Sequence, residues 1–423
     1  MKIAPARIAA YEILSKIETE KAFSSALLPI YEEKLDAKDR ALCHELTLGV
    51  LRKQIRLDRI IEKLSNGKKI DAAIRIILRI ALYQLIYLDK IPAHAAINDA
   101  VNLTRKAKKT SAKSFVNAIL RRFEREPVKL EFADETEKIS VEHSFPRWLI
   151  EKWIVQFGIE ETEKLAAASN ETPELNYRLT AKTSAAVKES LQRETIENEK
   201  NYLRELADAG KIYFQDAASQ MVAETVNLQP HESYLDVCCA PASKFSMVNY
   251  LAGEPRKLFV GGDLYAHRLK TAQKTCERVG ARNYQLIQYD AEVNLPFAEE
   301  SFDVVLLDAP CSGTGTIRHN PEIRYFLDEK DFAELHDKQL KILTNASKMT
   351  KPGGKIVYST CSLEREENEA VCTKFAAENL DIAQIKPELS ERFLTAENFA
   401  RTFPQKDRMD GFFIAVFEKK HQF

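Results

Sequence analysis

The sequence has no C-x-x-C pair, no internal repeat and no low-complexity tract, and no apolar run approaches the roughly eighteen residues a bilayer span requires. The first absence removes support for a structural zinc site. The others exclude a solenoid, a disordered polymer and a transmembrane helix. The opening residues, Met-Lys-Ile-Ala-Pro-Ala-Arg, lack the apolar core of a secretory signal. Seven cysteines at irregular spacing in 423 residues fit reduced thiols in a cytoplasmic protein rather than a disulfide framework. Net charge is nearly absent too, at −1. What is present is an ordinary soluble composition, 45% hydrophobic and 30% charged, in a chain long enough for two or three domains.

The balanced total hides an asymmetry. Residues 1–126 carry 25 Lys and Arg against 15 Asp and Glu, and the remainder 37 against 48. A basic N-terminal third implies contact with a polyanion, or else no more than a well-solvated helical surface. The apolar spacing in this third is helical throughout: Ile8, Tyr11, Leu14 and Ile17 make one face, and 72–88 is apolar almost all round, as in a central buried helix that Pro92 follows. The densest basic stretch contains Arg105, Lys106, Lys108, Lys109 and Lys113, which are candidates for phosphate contacts. A solvated helix end would read the same way.

Residues 127–210 read as a linker and a small intermediate module, with both tryptophans in a helix opened by Phe145-Pro146-Arg147 and a strand-like run at 175–180. From 211 to 423 the rhythm is strand–helix–strand, with strands expected at 234–238, 258–264, 284–288, 302–307, 355–359 and 412–417. That alternation predicts an α/β, Rossmann-like domain with a mainly parallel sheet.

In such sheets the chemistry gathers just past the carboxyl ends of the strands. Two cysteines fall there: Cys311 in Asp308-Ala-Pro-Cys-Ser-Gly-Thr-Gly and Cys361 in Tyr358-Ser-Thr-Cys-Ser. A pair of thiols in polar loops suits covalent chemistry at an electron-poor ring carbon, although two buried cysteines are more often small apolar fillers. Cys43, Cys239, Cys276 and Cys372 are read as core or incidental. The loop Cys238-Cys239-Ala240-Pro241-Ala242-Ser243-Lys244 runs from a strand into a helix and is placed to hold an adenosyl or nucleotide ligand, yet it lacks the glycine that close approach would favour. Asp263, Asp290 and Asp308 are expected at three strand ends around one crevice, where an acid can accept from ribose hydroxyls or an adenine amine. Singly, each could be a helix cap or a turn residue. Lys244 could depress the pKa of a nearby thiol.

Four segments together carry a resemblance: Gln215-Asp-Ala-Ala-Ser-Gln, the Asp308 motif, the Cys361 motif with Glu367-Asn-Glu after it, and Asp410-Gly-Phe-Phe-Ile-Ala. With them the chain resembles the RsmB (Sun, Fmu) family of ribosomal RNA cytosine-5 methyltransferases over nearly its whole length. The resemblance implies a NusB-like RNA-binding domain at 1–126 and a class I methyltransferase domain with a seven-stranded sheet at 211–423. It implies S-adenosylmethionine against Cys238–Lys244, with Asp263, Asp290 and Asp308 contacting the cofactor or the target base. Cys361 would be the nucleophile, Cys311 would assist release of the methylated base, and Arg318, Asn320 and Pro321 would lie close to the RNA. Because C5 of cytosine is a poor nucleophile, a thiolate must first add at C6, and Asp308 in protonated form could stabilise the charge that develops at the ring. DNA cytosine-5 methyltransferases use a Pro-Cys thiol instead, which would favour Cys311. The family loop reads Ala-Pro-Gly-Gly-Lys-Thr, so Ala242 in place of a glycine implies a shifted loop or weaker cofactor binding. A transfer or large-subunit RNA methyltransferase, or a non-catalytic assembly factor, are the other readings. The expected partner is small-subunit ribosomal RNA, with no membrane, no metal and a monomeric state.

Overall fold

The computed structural model describes residues 3–192, 199–253 and 257–421. They pack as two compact units, one of Met1–Thr172 with Ile317–Glu329, the other of Pro173–Thr316 with Lys330–Phe423. The segment 127–210 is thus shared: residues up to Thr172, with helices Glu135–His143, Arg147–Phe157 and Ile159–Ala168, belong to the first unit, and those from Pro173 to the second. Residues 193–198 of that expected module lie outside the described residues.

The first unit is helical. Helix Ala72–Tyr87 sits at its centre with Ile77, Leu78, Ile80, Ala81 and Leu82 at most 1% exposed, the outcome of an apolar sequence on every side. Its N-terminus is closed by Asp71, whose side chain accepts from the backbone N–H of Ala73. Its buried Arg79 pairs with Asp58 and Glu18. The inserted segment Ile317–Glu329 is held firmly. Glu322 accepts from the backbone and hydroxyl of Ser24, and Tyr325 donates to the carbonyl of Leu51.

The second unit holds two sheets. Strands β1 (Tyr177–Leu179) and β2 (Ile212–Phe214) pair antiparallel. The main sheet contains β3 (Tyr234–Asp236), β4 (Phe259–Asp263), β5 (Gln285–Gln288), β6 (Phe302–Asp308), β7 (Thr350–Thr360), β8 (Ile382–Ile385), β9 (Ala400–Arg401) and β10 (Phe413–Lys419). Seven strands run in the order β5-β4-β3-β6-β7-β10-β8, and the two-residue β9 flanks β10. β3 to β7 are mutually parallel and β10 is antiparallel. All six main-sheet strands expected from alternation are present. β8 and β9 are not among the strands expected from the sequence. The order reverses between β3 and β6, and a crevice opens there at the carboxyl ends.

Candidate active site

β6 and β7 lie side by side with Asp308 opposite Ser359, so the loops leaving them are neighbours. That register brings the two cysteines together: Cys311 Sγ and Cys361 Sγ are 3.2 Å apart, and both free thiols are half-buried. The hydrogen bond to Cys361, burial and the charges of Cys361, Glu367 and Asp308 all push the Cys311 thiol well above its usual range. Cys311 therefore holds its proton. The other cysteines expected in the core, Cys43, Cys239, Cys276 and Cys372, are at most 5% exposed.

A cavity of about 280 Å³ reaches both thiols. Its wall includes Cys238, Ala240, Asp263, Asp290, Asp308, Cys311 and Cys361, and it extends to Tyr265, Arg268, Tyr289, Glu292 and Lys338, which sequence reasoning did not single out. Asp263 and Asp308 end β4 and β6, and Asp290 follows β5, so alternation could place them. Tyr265 and Arg268 sit on the following turn and helix without a local pattern to mark them.

The polar atoms of this crevice ask for a ligand. Asp263 is 2% exposed, its Oδ1 accepts from the backbone N–H of Tyr265, and its Oδ2 has an ion-pair contact with Arg268 at 3.3 Å but no hydrogen bond. Asp236, at the end of β3, also has an unbonded buried oxygen. Burial first, then the charge of Asp308, pushes its carboxyl well above the ordinary range. Asp263 and Asp290 on the cavity wall, at the ends of neighbouring strands, fit an adenosyl group with its ribose hydroxyls and ring amine. Asp290 is also a turn residue, accepting from the N–H of Glu292.

Lys244 is 8% exposed and donates to Asp308 Oδ2 at 2.7 Å, with its ammonium 4.9 Å from the Phe412 ring centroid. Burial alone would lower its pKa. The charge of Asp308 and the hydrogen bond to it, with a further contribution from Cys361, outweigh burial, and the net direction is up. Asp308 Oδ1 accepts from Ser359 at 2.9 Å. Both oxygens are thus acceptors for protein donors, and neither is presented as the O–H donor that the sequence reading allowed.

The loop before Lys244 departs from expectation in an instructive way. Ala242 keeps the left-handed turn, with φ 74° and ψ 25°, and its methyl group is fully buried in the apolar cluster beside Ala218, Val222 and Phe245. Cys238 and Ala240 line the cavity and Ala242 does not. The added methyl therefore costs backbone conformation and does not obstruct a ligand. For Ala242→Gly the relief of about 1–2 kcal/mol from the αL position is offset by about 0.5–1 for glycine flexibility and about 0.8 for the lost methyl. Stability should stay within about 1 kcal/mol and cofactor affinity within about threefold, checked by thermal unfolding and calorimetric titration. A large gain in affinity would show that the methyl obstructs the site.

The loop is braced from the far side by a residue that sequence reasoning missed. Arg178 on β1 is 5% exposed and donates to Gln215 Oε1, the Ser243 carbonyl and Ser246 Oγ, while its guanidinium lies 4.9 Å from the Tyr213 ring centroid. Burial pushes it down to about 10, so it remains a cation at neutral pH. Arg268 holds the near side by donating to the Ala240 carbonyl at 2.9 Å. Gly315 closes the remaining edge: its N–H donates to the Cys361 carbonyl and its carbonyl accepts from Gly411, whose own carbonyl a side chain at 315 would meet at 1.9 Å. Four separated motifs converge on one crevice.

The basic residues belong to the first unit. Arg105, Lys106, Lys108 and Lys109 are exposed and Lys113 is half-buried. Lys106 pairs with Glu12 and Lys109 with Asp71. Arg318 is only 5% exposed, with its carbonyl accepting from Arg52. Asn320 is half-buried with an unbonded side-chain oxygen.

Comparison with known proteins places this arrangement. Residues 223–418 match the family described as 16S rRNA methyltransferase RsmB/F, and residues 4–125 match the NusB family. The chain is 32% identical to the probable ribosomal RNA small subunit methyltransferase B of Bacillus subtilis (strain 168), over 99% of this chain and 100% of that one. It is 30% identical to ribosomal RNA small subunit methyltransferase B of Klebsiella pneumoniae (strain 342), over 98% and 97%. In fold it is similar to the crystal structure of PH0851, with a TM-score of 0.82 at 23% identity over 99% and 100% of the two chains. The structure of NSun6 from Pyrococcus horikoshii with SFG aligns over 66% of this chain and 99% of that one, with a TM-score of 0.57 at 19% identity.

Proposed function

This chain belongs to the RsmB/F family of 16S rRNA methyltransferases, and we propose on that premise that it methylates C5 of a cytosine in small-subunit ribosomal RNA through a transient Cys361–C6 bond. The observation that carries this reading is the pair of thiols 3.2 Å apart on the wall of a cavity that also holds Asp263, Asp290 and Asp308. S-adenosylmethionine, when bound, supplies an electrophilic methyl group; Cys238, Ala240, Asp263 and Asp290 are the residues that would hold it.

The chain's own groups do the rest. Cys361 Sγ adds to C6, and the electron pair displaced from the ring double bond makes C5 nucleophilic. Lys244 and Asp308 place a fixed charge pair beside the ring as negative charge develops there. After methylation C5 must lose its proton so that the C6–S bond can break. At that stage Cys361 is a thioether, and two of the contributions that raise Cys311, the hydrogen bond to Cys361 and its charge, are gone. Cys311, once its own proton has passed to solvent, takes the C5 proton as a thiolate, and the electron pair left on the ring reforms the double bond and expels Cys361 as a thiolate. The likeness of Tyr358-Ser-Thr-Cys-Ser to the family's motif supports Cys361 rather than Cys311 as the nucleophile.

Incubating the purified protein with methyl-labelled cofactor and unmodified small-subunit RNA tests the reading. Label is expected in 5-methylcytosine. No transfer would favour a non-catalytic assembly factor, and transfer only to transfer or large-subunit RNA would move the substrate. Binding should weaken with salt. Since Lys106 and Lys109 already neutralise acids, replacing all five basic residues at 105–113 should flatten the logarithmic salt slope by about 3, near 0.9 per phosphate contact. An unchanged slope would assign the stretch to solvated surface.

A further inference from the structure

Each catalytic cysteine is followed by a serine, and both serines bond to one buried carboxylate. Glu367 is fully buried. Its Oε1 accepts from Ser312 Oγ and Ser362 Oγ, both at 2.5 Å, and its Oε2 accepts from the Ser312 backbone N–H at 2.8 Å and Gln339 Nε2 at 2.9 Å. All four partners are neutral groups, although a buried carboxylate is costly to desolvate. Two more bonds extend the junction: Gln339 also donates to the Pro310 carbonyl, and Tyr358 OH donates to the Glu367 carbonyl.

We propose that Glu367 is the positioning residue that locks the Cys311 and Cys361 loops in register and so sets the distance between the two sulfurs. Parallel pairing of β6 and β7 ends at Asp308–Ser359. Beyond it the two loops are no longer paired as strands, and the carboxylate supplies an acceptor that both can share. A carboxylate suits this place because it accepts on both oxygens. An amide would turn one acceptor into a donor facing the Ser312 N–H or the Gln339 amide. An aspartate is one methylene shorter and could not reach both loops at once. Glu367 touches neither sulfur through any of these bonds; it positions them through the serines, beside the charge it adds near Cys311. Misplacement by about 1 Å can cost about 10²-fold in a positioned reaction, so a clamp of this kind matters to rate more than to binding.

The inference rests on the proposed two-cysteine reaction for its importance but can be tested without it. Dilute hydrogen peroxide joins two adjacent thiols: each sulfur loses a proton, the pair loses two electrons, and peroxide becomes two waters. In the full-length protein the linked 311/361 peptide is followed by mass spectrometry. Glu367→Gln should slow its formation at least about tenfold, while methyl transfer falls by about 10²-fold in kcat with KM for S-adenosylmethionine changed less than about threefold. If Glu367→Gln fails to fold, the double variant Ser312→Ala/Ser362→Ala, which keeps the carboxylate and two of its four bonds, should slow linkage several-fold. Wild-type linkage rates in a folded variant would overturn the clamp. Wild-type protein that links its cysteines but makes no 5-methylcytosine would instead overturn the proposed reaction and leave the clamp standing.

Discussion

Replacing Cys361 with alanine is expected to abolish both methyl transfer and any covalent RNA adduct, a loss of about 10⁴-fold or more because no second nucleophile occupies its place. Cys311→Ala should behave differently. With Cys361 intact the adduct still forms, but the group that takes the C5 proton is missing and release stalls. A protein–RNA complex that survives denaturing electrophoresis should then accumulate. The two outcomes can be told apart because both cysteines line the same cavity wall, so either thiol can be removed while the other still faces it. An adduct from Cys361→Ala and none from Cys311→Ala would reverse the roles and bring the chemistry in line with the Pro-Cys thiol of DNA cytosine-5 methyltransferases.

The second large effect concerns Lys244→Met. This variant keeps the aliphatic stem over Phe412 but leaves Asp308 with Ser359 as its remaining bonded partner. Breaking a fully buried pair costs about 3–5 kcal/mol, and because the Asp308 side chain is 30% exposed, water screens the loss to about 3 or less. Activity should fall further than stability, by about 10²–10³-fold, since a cation fixed beside the reacting ring is removed where charge develops. Urea unfolding and single-turnover methyl transfer separate the two. Lys244 is raised in the folded state, so its stabilising contribution is complete below the ordinary lysine range and declines as pH rises through the raised value. Wild type and variant should therefore converge in stability on the alkaline side, whereas a constant difference would mean that packing accounts for the loss.

The outline of this site was legible because strand ends announce themselves locally. Asp263, Asp308 and both cysteines follow runs of β-branched and apolar residues, and a parallel sheet collects such positions at one edge. The residues that hold the site steady left no comparable trace. Arg178 stands in a three-residue strand, 65 positions before the Ser243 carbonyl it braces. Glu367 was quoted only as part of a motif, with no role, because its partners lie 55 and 28 positions away as well as nearby. At Ala242 the sequence implies a shifted loop or weaker cofactor binding, and composition alone does not show that its methyl is buried in the apolar cluster.

Sequence alone determined the chemistry available to this protein: a helical basic third, a parallel sheet and two thiols with three carboxylates at strand ends, in motifs that identify the family. Periodicity and motif spacing are short-range properties, and a chain carries them whether or not it is folded. Tertiary structure decided the 3.2 Å between the sulfurs, the pairing of Lys244 with Asp308, the turning of the Ala242 methyl into the core and the meeting of two serines on one buried carboxylate. Each of these depends on which distant segments pack together, because bonds and ion pairs act over a few ångströms of space and are indifferent to separation along the chain.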